Sequence, residues 1–152
     1  MTALIAVIAV NVVVSLFGFR DQSERFLFIP HQVARGENRV GMLLAHFAHA
    51  GLAHLAFNML ALYSFAGTVL AVLGSAKFLL IYVVAGLGAD AVIYALHKND
   101  PAYRCLGASG SVFGIVMAAV VLRPATSIAF LFFPVPIPGP IFMLGYVIIS
   151  VF

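Results

Sequence analysis

The sequence predicts an all-α, polytopic transmembrane helical bundle, on three observations. Of 152 residues, 64% are hydrophobic and 9% charged, whereas a soluble domain is nearer 45–50% apolar and about 25% charged. The mean hydropathy of +1.14 means that water is not the solvent for most of the surface. The apolar residues also fall into four to five blocks, each approaching the ~20 residues that a helix needs to cross a bilayer.

The first block, Ala3 to Phe19, is expected to be a permanent span, since it lacks the charged leader of a signal peptide. The stretch from Arg20 to Arg39 carries Asp21, Glu24, Arg25, Arg35 and Glu37. It is too charged for hydrocarbon and belongs at or outside the interface. Leu52 to Leu73 is the second span, Gly74-Ser75 breaks it, and Ala76 to Leu96 is the third, ended by His97-Lys98-Asn99-Asp100-Pro101. The fourth runs from Ser109 to Leu122 and stops at Arg123-Pro124. Pro134, Pro136, Pro138 and Pro140 at alternate positions exclude a helix, because each removes a donor and restricts its predecessor. A fifth helix should begin near Ile141. Its twelve residues to Phe152 reach roughly 18 Å against a hydrocarbon core of about 30 Å. With no polar tail after Ile-Ile-Ser-Val-Phe, the expectation is a C-terminally truncated chain: one membrane domain over 1–152, with four spans and the start of a fifth.

A charge of +3 and a pI near 9.4 do not indicate nucleic acid, because eight cations are spread thinly between apolar blocks. The one cysteine, Cys105, excludes an internal disulfide framework and leaves no CxxC pair for zinc.

Gly107-Ala108-Ser109-Gly110-Ser111-Val112-Phe113-Gly114 is the most informative segment. If Arg123 marks one interface, fourteen helical residues place Ser109 about 9 Å below the other. Non-helical backbone at Gly107 and Ala108 is tolerated at that depth only inside protein or beside a wet cavity. A serine at a helix N-terminus lies beside free N–H groups and the positive dipole end, which suits a developing oxyanion. On residue type alone the simpler reading is favoured: Gly110 and Gly114 pack helices and Ser109 is an N-cap. In the second span His54 and Asn58 are four apart and share a helix face. Unpaired in hydrocarbon they would cost several kcal/mol, so they should face protein, water or substrate. By themselves such pairs are more often interhelical contacts than catalytic groups. His46 and His49 are expected at the interface, with no carboxylate or cysteine completing a metal set.

Taken jointly, His49-x4-His54-x3-Asn58-Met59 and Gly107-Ala108-Ser109-Gly110 with Gly114 resemble the rhomboid family of intramembrane serine proteases, including its Gly-x-Ser-Gly signature. The likeness runs from about Gly36-Glu37 to the end of the chain. It implies an intramembrane endopeptidase that cleaves transmembrane protein substrates by a Ser–His dyad, without metal or cofactor, as a multi-pass protein of the bilayer, expected in a bacterial plasma membrane. It also implies Ser109 as nucleophile, with its own N–H, His54 and Asn58 as oxyanion donors. Gly107 and Gly110 would permit close backbone approach.

Three departures accompany the resemblance. The family's general base is a histidine on a sixth helix, and no histidine follows His97 here; His97 is a poor substitute, separated from Ser109 by a charged turn and Pro101. Second, the family often carries Trp-Arg in the first loop, but tryptophan is absent and Arg39 alone matches the arginine. Third, Arg20, Arg25, Arg35, Arg39, Lys98 and Arg104 fall on one side of the spans and Lys77 and Arg123 on the other. Counting cations puts the six inside the cell, whereas the family places those loops outside. The mixed-sign first loop reads as structured rather than as a topology signal.

Asp90, mid-span, is expected to contact another helix, near Tyr94. Cys105 is read as an inert buried thiol. A soluble-hydrolase elbow fails because Ser111 stands where Gly-x-Ser-x-Gly needs glycine. The alternative function is a rhomboid-like pseudoprotease that binds membrane helices without cleavage. A small transporter would show internal repeats, which are not seen.

Overall fold

The computed structural model describes residues 1–21, 23–125, 127–130 and 133–151. Helix α1 spans Thr2–Asp21. A 3-10 turn at Glu24–Phe26 and two short helices, α2 (Pro30–Ala34) and α3 (Arg39–Ala45), build the first loop. Helix α4 runs Leu52–His97 with non-helical dihedrals inside it at Gly74. Helix α5 is Ser109–Leu122, and α6 is Gly139–Val151.

The break in α4 is where the sequence places it. Gly74 has φ +78°, a conformation that favours glycine, and it divides α4 into arms 52–73 and 75–97. Each arm is about 33 Å long, enough to cross a bilayer. By length and composition α1 and α4 qualify as membrane-crossing helices, while α5 is a shorter apolar one.

The helical class holds, with one addition. The proline-rich segment is not an irregular loop but a two-stranded antiparallel ribbon, β1 (Ser127–Phe130) with β2 (Phe133–Pro138), pairing Ser127 with Pro138 and Ile128 with Ile137. In an edge strand every second N–H points away from the partner, so prolines at alternate positions need not remove ladder donors. Helix α6 starts at Gly139, two residues before the expected Ile141, with Pro140 near its N-terminus, where a missing N–H is harmless. Phe152, the end of the expected fifth helix, lies outside the described residues.

The burial pattern is inverted relative to a soluble protein. Ile5, Val13, Phe17, Leu80, Val84 and Leu87 are exposed, while Asn11, Ser15, Asn58 and Ser111 are buried, the arrangement expected when hydrocarbon is the solvent and polar groups must find each other. One apolar cluster joins Leu4 and Val7 of α1, Leu62, Ala66 and Val69 of the first arm of α4, Phe78 and Tyr82 of the second, and Val112, Ile115 and Ala119 of α5. Gly110 and Gly114 face the second arm. A Cβ on Gly110 would meet the Ala89 Cβ at 2.6 Å, and one on Gly114 the Ala85 Cβ at 2.2 Å. These glycines therefore do pack helices, as small-xxx-small pairs do in membranes.

Asn11 interrupts an apolar run and is fully buried. Its Nδ2 donates to the Val7 carbonyl at 2.8 Å and to the Tyr82 hydroxyl at 3.0 Å, tying α1 to the second arm. Tyr82→Phe leaves that amide one acceptor short. A loss of about 1 kcal/mol is expected, read as a lower unfolding midpoint in detergent; an unchanged midpoint would show that the contact contributes nothing.

The first loop is structured, as its mixed charge suggested. Asn38, at φ +45°, caps α3 by accepting from Gly41 N and donates to the Glu24 and Leu27 carbonyls. Phe28 and Cys105 exchange backbone bonds of 2.8 and 3.0 Å, Glu24 pairs with Arg104 at 3.5 Å, and His31 Nδ1 lies 3.2 Å from the Lys98 carbonyl. The loops 23–38 and 98–108 thus sit at the same end of the bundle.

Candidate active site at the start of helix α5

Gly107 reaches Ser109 with φ +134°, and its N–H donates to the Ala45 carbonyl at 2.9 Å. The backbone turns into α5 at Ala108, which is the N-cap and makes no side-chain cap bond. Ser109 is therefore the first helical residue, not the N-cap of the simpler sequence reading, and its side chain makes no hydrogen bond among the described residues. The residue is exposed, and its early position leaves nearby N–H groups without intrahelical acceptors.

His54 comes to the same place from the first arm of α4. A Cβ built on Gly107 would lie 3.2 Å from His54 Nε2 and 3.8 Å from Ser109 Oγ, so the imidazole and the hydroxyl converge on one small volume. The tautomer follows from the other ring nitrogen. Ala50 N donates to His54 Nδ1 at 3.4 Å, so in the neutral ring the proton sits on Nε2. Asn58 is buried one turn on, and its Nδ2 donates to the His54 carbonyl at 3.1 Å. That bond engages one of its two amide hydrogens. Of the two motif glycines, Gly107 leaves room for His54, whereas Gly110 is pressed against Ala89 of the second arm.

His46 is half-buried and His49 buried, both packed against other elements of the protein. His49 is 3% exposed, and burial first, then His54, pushes its pKa down to about 4. Ser15 Oγ donates to the Phe47 carbonyl at 3.1 Å and lies 2.9 Å from His49 Nδ1, so Nδ1 carries the ring proton and Nε2 is a bare acceptor. Among the described residues Nε2 and Ser23 Oγ are buried without partners, and both residues line a cavity of about 400 Å³ that also touches Ala50 and Leu106. Such a hollow has the size and polarity to hold water.

His46 Nε2 lies 2.7 Å from Ser111 Oγ and His46 Nδ1 lies 3.4 Å from Asp90 Oδ2. Asp90 does contact another element, but the partner is His46 rather than a group near Tyr94. The connectivity Asp90–His46–Ser111 copies that of a serine protease triad. Ser111 is nevertheless fully buried and donates its proton to the Tyr82 carbonyl at 2.5 Å, so no substrate can reach it. Sequence reasoning missed this cluster, although two polar residues in apolar surroundings were a usable signal.

The remaining candidates fall away from Ser109. His97 stacks on Tyr103 with centroids 3.6 Å apart. Cys105 is half-buried, and burial pushes its thiol pKa up, which keeps it a poor nucleophile. No cluster of metal-ligating side chains occurs among the described residues.

Comparison with known proteins bears on this geometry. The rhomboid domain model matches residues 36–152. The chain is 35% identical over 95 residues to the mitochondrial presenilin-associated rhomboid-like protein of Mus musculus, covering 62% of this chain and 25% of that protein. It is 43% identical over 70 residues to rhomboid protease GluP of Bacillus subtilis (strain 168), covering 46% and 13% respectively. A third relative, presenilin-associated rhomboid-like protein A of Danio rerio, is 28% identical over 135 residues, covering 85% of this chain and 34% of the relative. The chain thus spans about a quarter of the length of the mouse and rat mitochondrial relatives it matches. No solved structure matches. With the family model covering most of the sequence and the fold helical and lipid-facing, this chain belongs to the rhomboid family of integral membrane proteins.

Proposed function

We propose that the full-length protein is a multi-pass intramembrane serine endopeptidase that cleaves peptide bonds within or beside transmembrane segments of other proteins, in a bacterial plasma membrane. Ser109 is the nucleophile. Its backbone N–H, His54 Nε2–H and the free amide hydrogen of Asn58 receive the oxyanion. The observation that carries this reading is the convergence of His54 Nε2 and Ser109 Oγ beside Gly107. A proton-bearing nitrogen beside a helix-N-terminal serine is what a tetrahedral intermediate requires.

The same tautomer makes His54 a donor rather than a base. Serine needs a proton acceptor within reach, and the reading assigns that task to the family's sixth-helix histidine, a position this chain does not include. The donor role of His54 supports a second reading, a family member that binds membrane helices without cutting them. No metal or cofactor enters either reading.

A fluorophosphonate probe applied to the full-length protein in detergent separates the two. The protease reading expects a stoichiometric adduct that peptide mass spectrometry places on Ser109. Folded protein that acquires no adduct at Ser109 overturns it and leaves the binder.

A further inference from the structure

We propose that His46 is a positioning residue for Ser109, holding the first turn of α5 through Ser111 while Asp90 orients its ring; this rests on the reading of Ser109 as nucleophile. Two consecutive residues at the end of α3 grip the chain on either side of that serine. Before it, the Ala45 carbonyl accepts from Gly107 N–H at 2.9 Å. After it, His46 Nε2 and Ser111 Oγ are 2.7 Å apart.

The direction of the second bond is fixed. The single Ser111 proton goes to the Tyr82 carbonyl, so the hydroxyl must accept from His46 Nε2–H. Ser111 then joins α3 to the second arm of α4, and the ring donates at both nitrogens, as an imidazolium, with Nε2–H on Ser111 and Nδ1–H toward the Asp90 carboxylate 3.4 Å away, which sets its orientation. The edge of the imidazole also packs on Phe47 and Tyr82, with centroids 5.4 and 6.2 Å away.

Gly86 is part of the device. A Cβ there would come within 1.9 Å of His46 Cε1 and 2.3 Å of Ser111 Oγ, so the second arm offers bare backbone where the bond forms. The segment between the two anchors contains Ala108, which is fully buried, and Ser109, which is exposed. The hydroxyl is presented by a backbone fixed at both sides while making no stabilising bond of its own. A small displacement there matters, since misplacing a reacting group by about 1 Å can cost 10²-fold in rate.

The test combines hydrogen exchange with labelling kinetics on the full-length protein in detergent. In His46→Leu and Ser111→Ala, exchange of the amides at 107–112 should quicken about tenfold, the scale of one lost buried hydrogen bond, and fluorophosphonate labelling should slow by a similar factor. His46→Gln, which keeps an N–H donor, should restore both to within about twofold. Unaltered exchange in both deletion variants overturns the clamp whatever the labelling does, and faster exchange with unaltered labelling overturns its role in positioning Ser109. Should His46→Leu fail to fold, the near-isosteric Ser111→Ala decides. If wild-type protein is not labelled at all, the nucleophile reading falls, and the clamp is then judged by exchange alone.

Discussion

Replacing Ser109 by alanine in the full-length protein is expected to lower cleavage of a transmembrane substrate by roughly a millionfold, the loss that follows removal of the nucleophile from a soluble serine protease. The change should leave the fold intact, and the structure gives the reason. Ser109 is exposed, Ala108 rather than Ser109 is the N-cap, and no side-chain cap bond is made. Deleting the hydroxyl therefore removes no hydrogen bond among the described residues, and surface changes of that kind usually stay within about 0.5 kcal/mol. The unfolding midpoint should be that of wild type, with substrate binding retained.

Ser111→Ala supplies the contrast two residues away. That hydroxyl is fully buried and satisfies both His46 Nε2 and the Tyr82 carbonyl. Its loss leaves a buried donor and a buried acceptor unmatched, which lowers stability and slows the chemistry only about tenfold, far less than the loss of Ser109. Cleavage rates and melting midpoints of the two variants therefore separate the roles. If Ser109→Ala cuts as fast as wild type, the nucleophile has been misassigned.

The parts of this molecule that could be read from sequence are those set by local chemistry. The α4 start at Leu52, the break at Gly74 and the limits of α5 at Ser109 and Leu122 follow from apolar length, glycine and the Arg123-Pro124 stop. The Gly110 and Gly114 packing surface was legible for the same reason, because a four-residue spacing defines one helix face. What stayed hidden depends on separation along the chain. His46 meets Asp90 and Ser111 across 44 and 65 positions, and no local pattern pairs them. His49 meets Ser15 of α1 across 34 positions, which no local pattern signals either. The ribbon after α5 was hidden by its own prolines: they rule out a helix, but they do not distinguish a loop from an edge strand. For the candidate site, residue spacing put His54 and Asn58 on one face, but only the fold shows that His54 and Ser109 both lie beside Gly107 while Asn58 spends one hydrogen on its own helix.

Gly107→Ala is expected to reduce labelling and cleavage by about 10³-fold, within the range for losing a preorganised oxyanion donor together with strain at the reacting backbone. Two independent constraints meet at this residue. Its φ of +134° lies where side chains are rarely tolerated, and a Cβ would sit 2.9 Å from His54 Cε1. The imidazole cannot simply retreat, because Ala50 N holds Nδ1 and the His49 ring lies 4.9 Å away, edge to face. Either His54 swings off the serine or the Gly107 N–H leaves the Ala45 carbonyl, and in both cases the donor and the nucleophile no longer share one volume. Gly51→Ala is the matched control. Gly51 is extended, at φ 177°, and a Cβ there meets nothing within 4 Å, so that variant should label within about twofold of wild type, as surface substitutions generally do. Equal rates for the two alanine variants would mean that the space between His54 and Ser109 has no part in the chemistry.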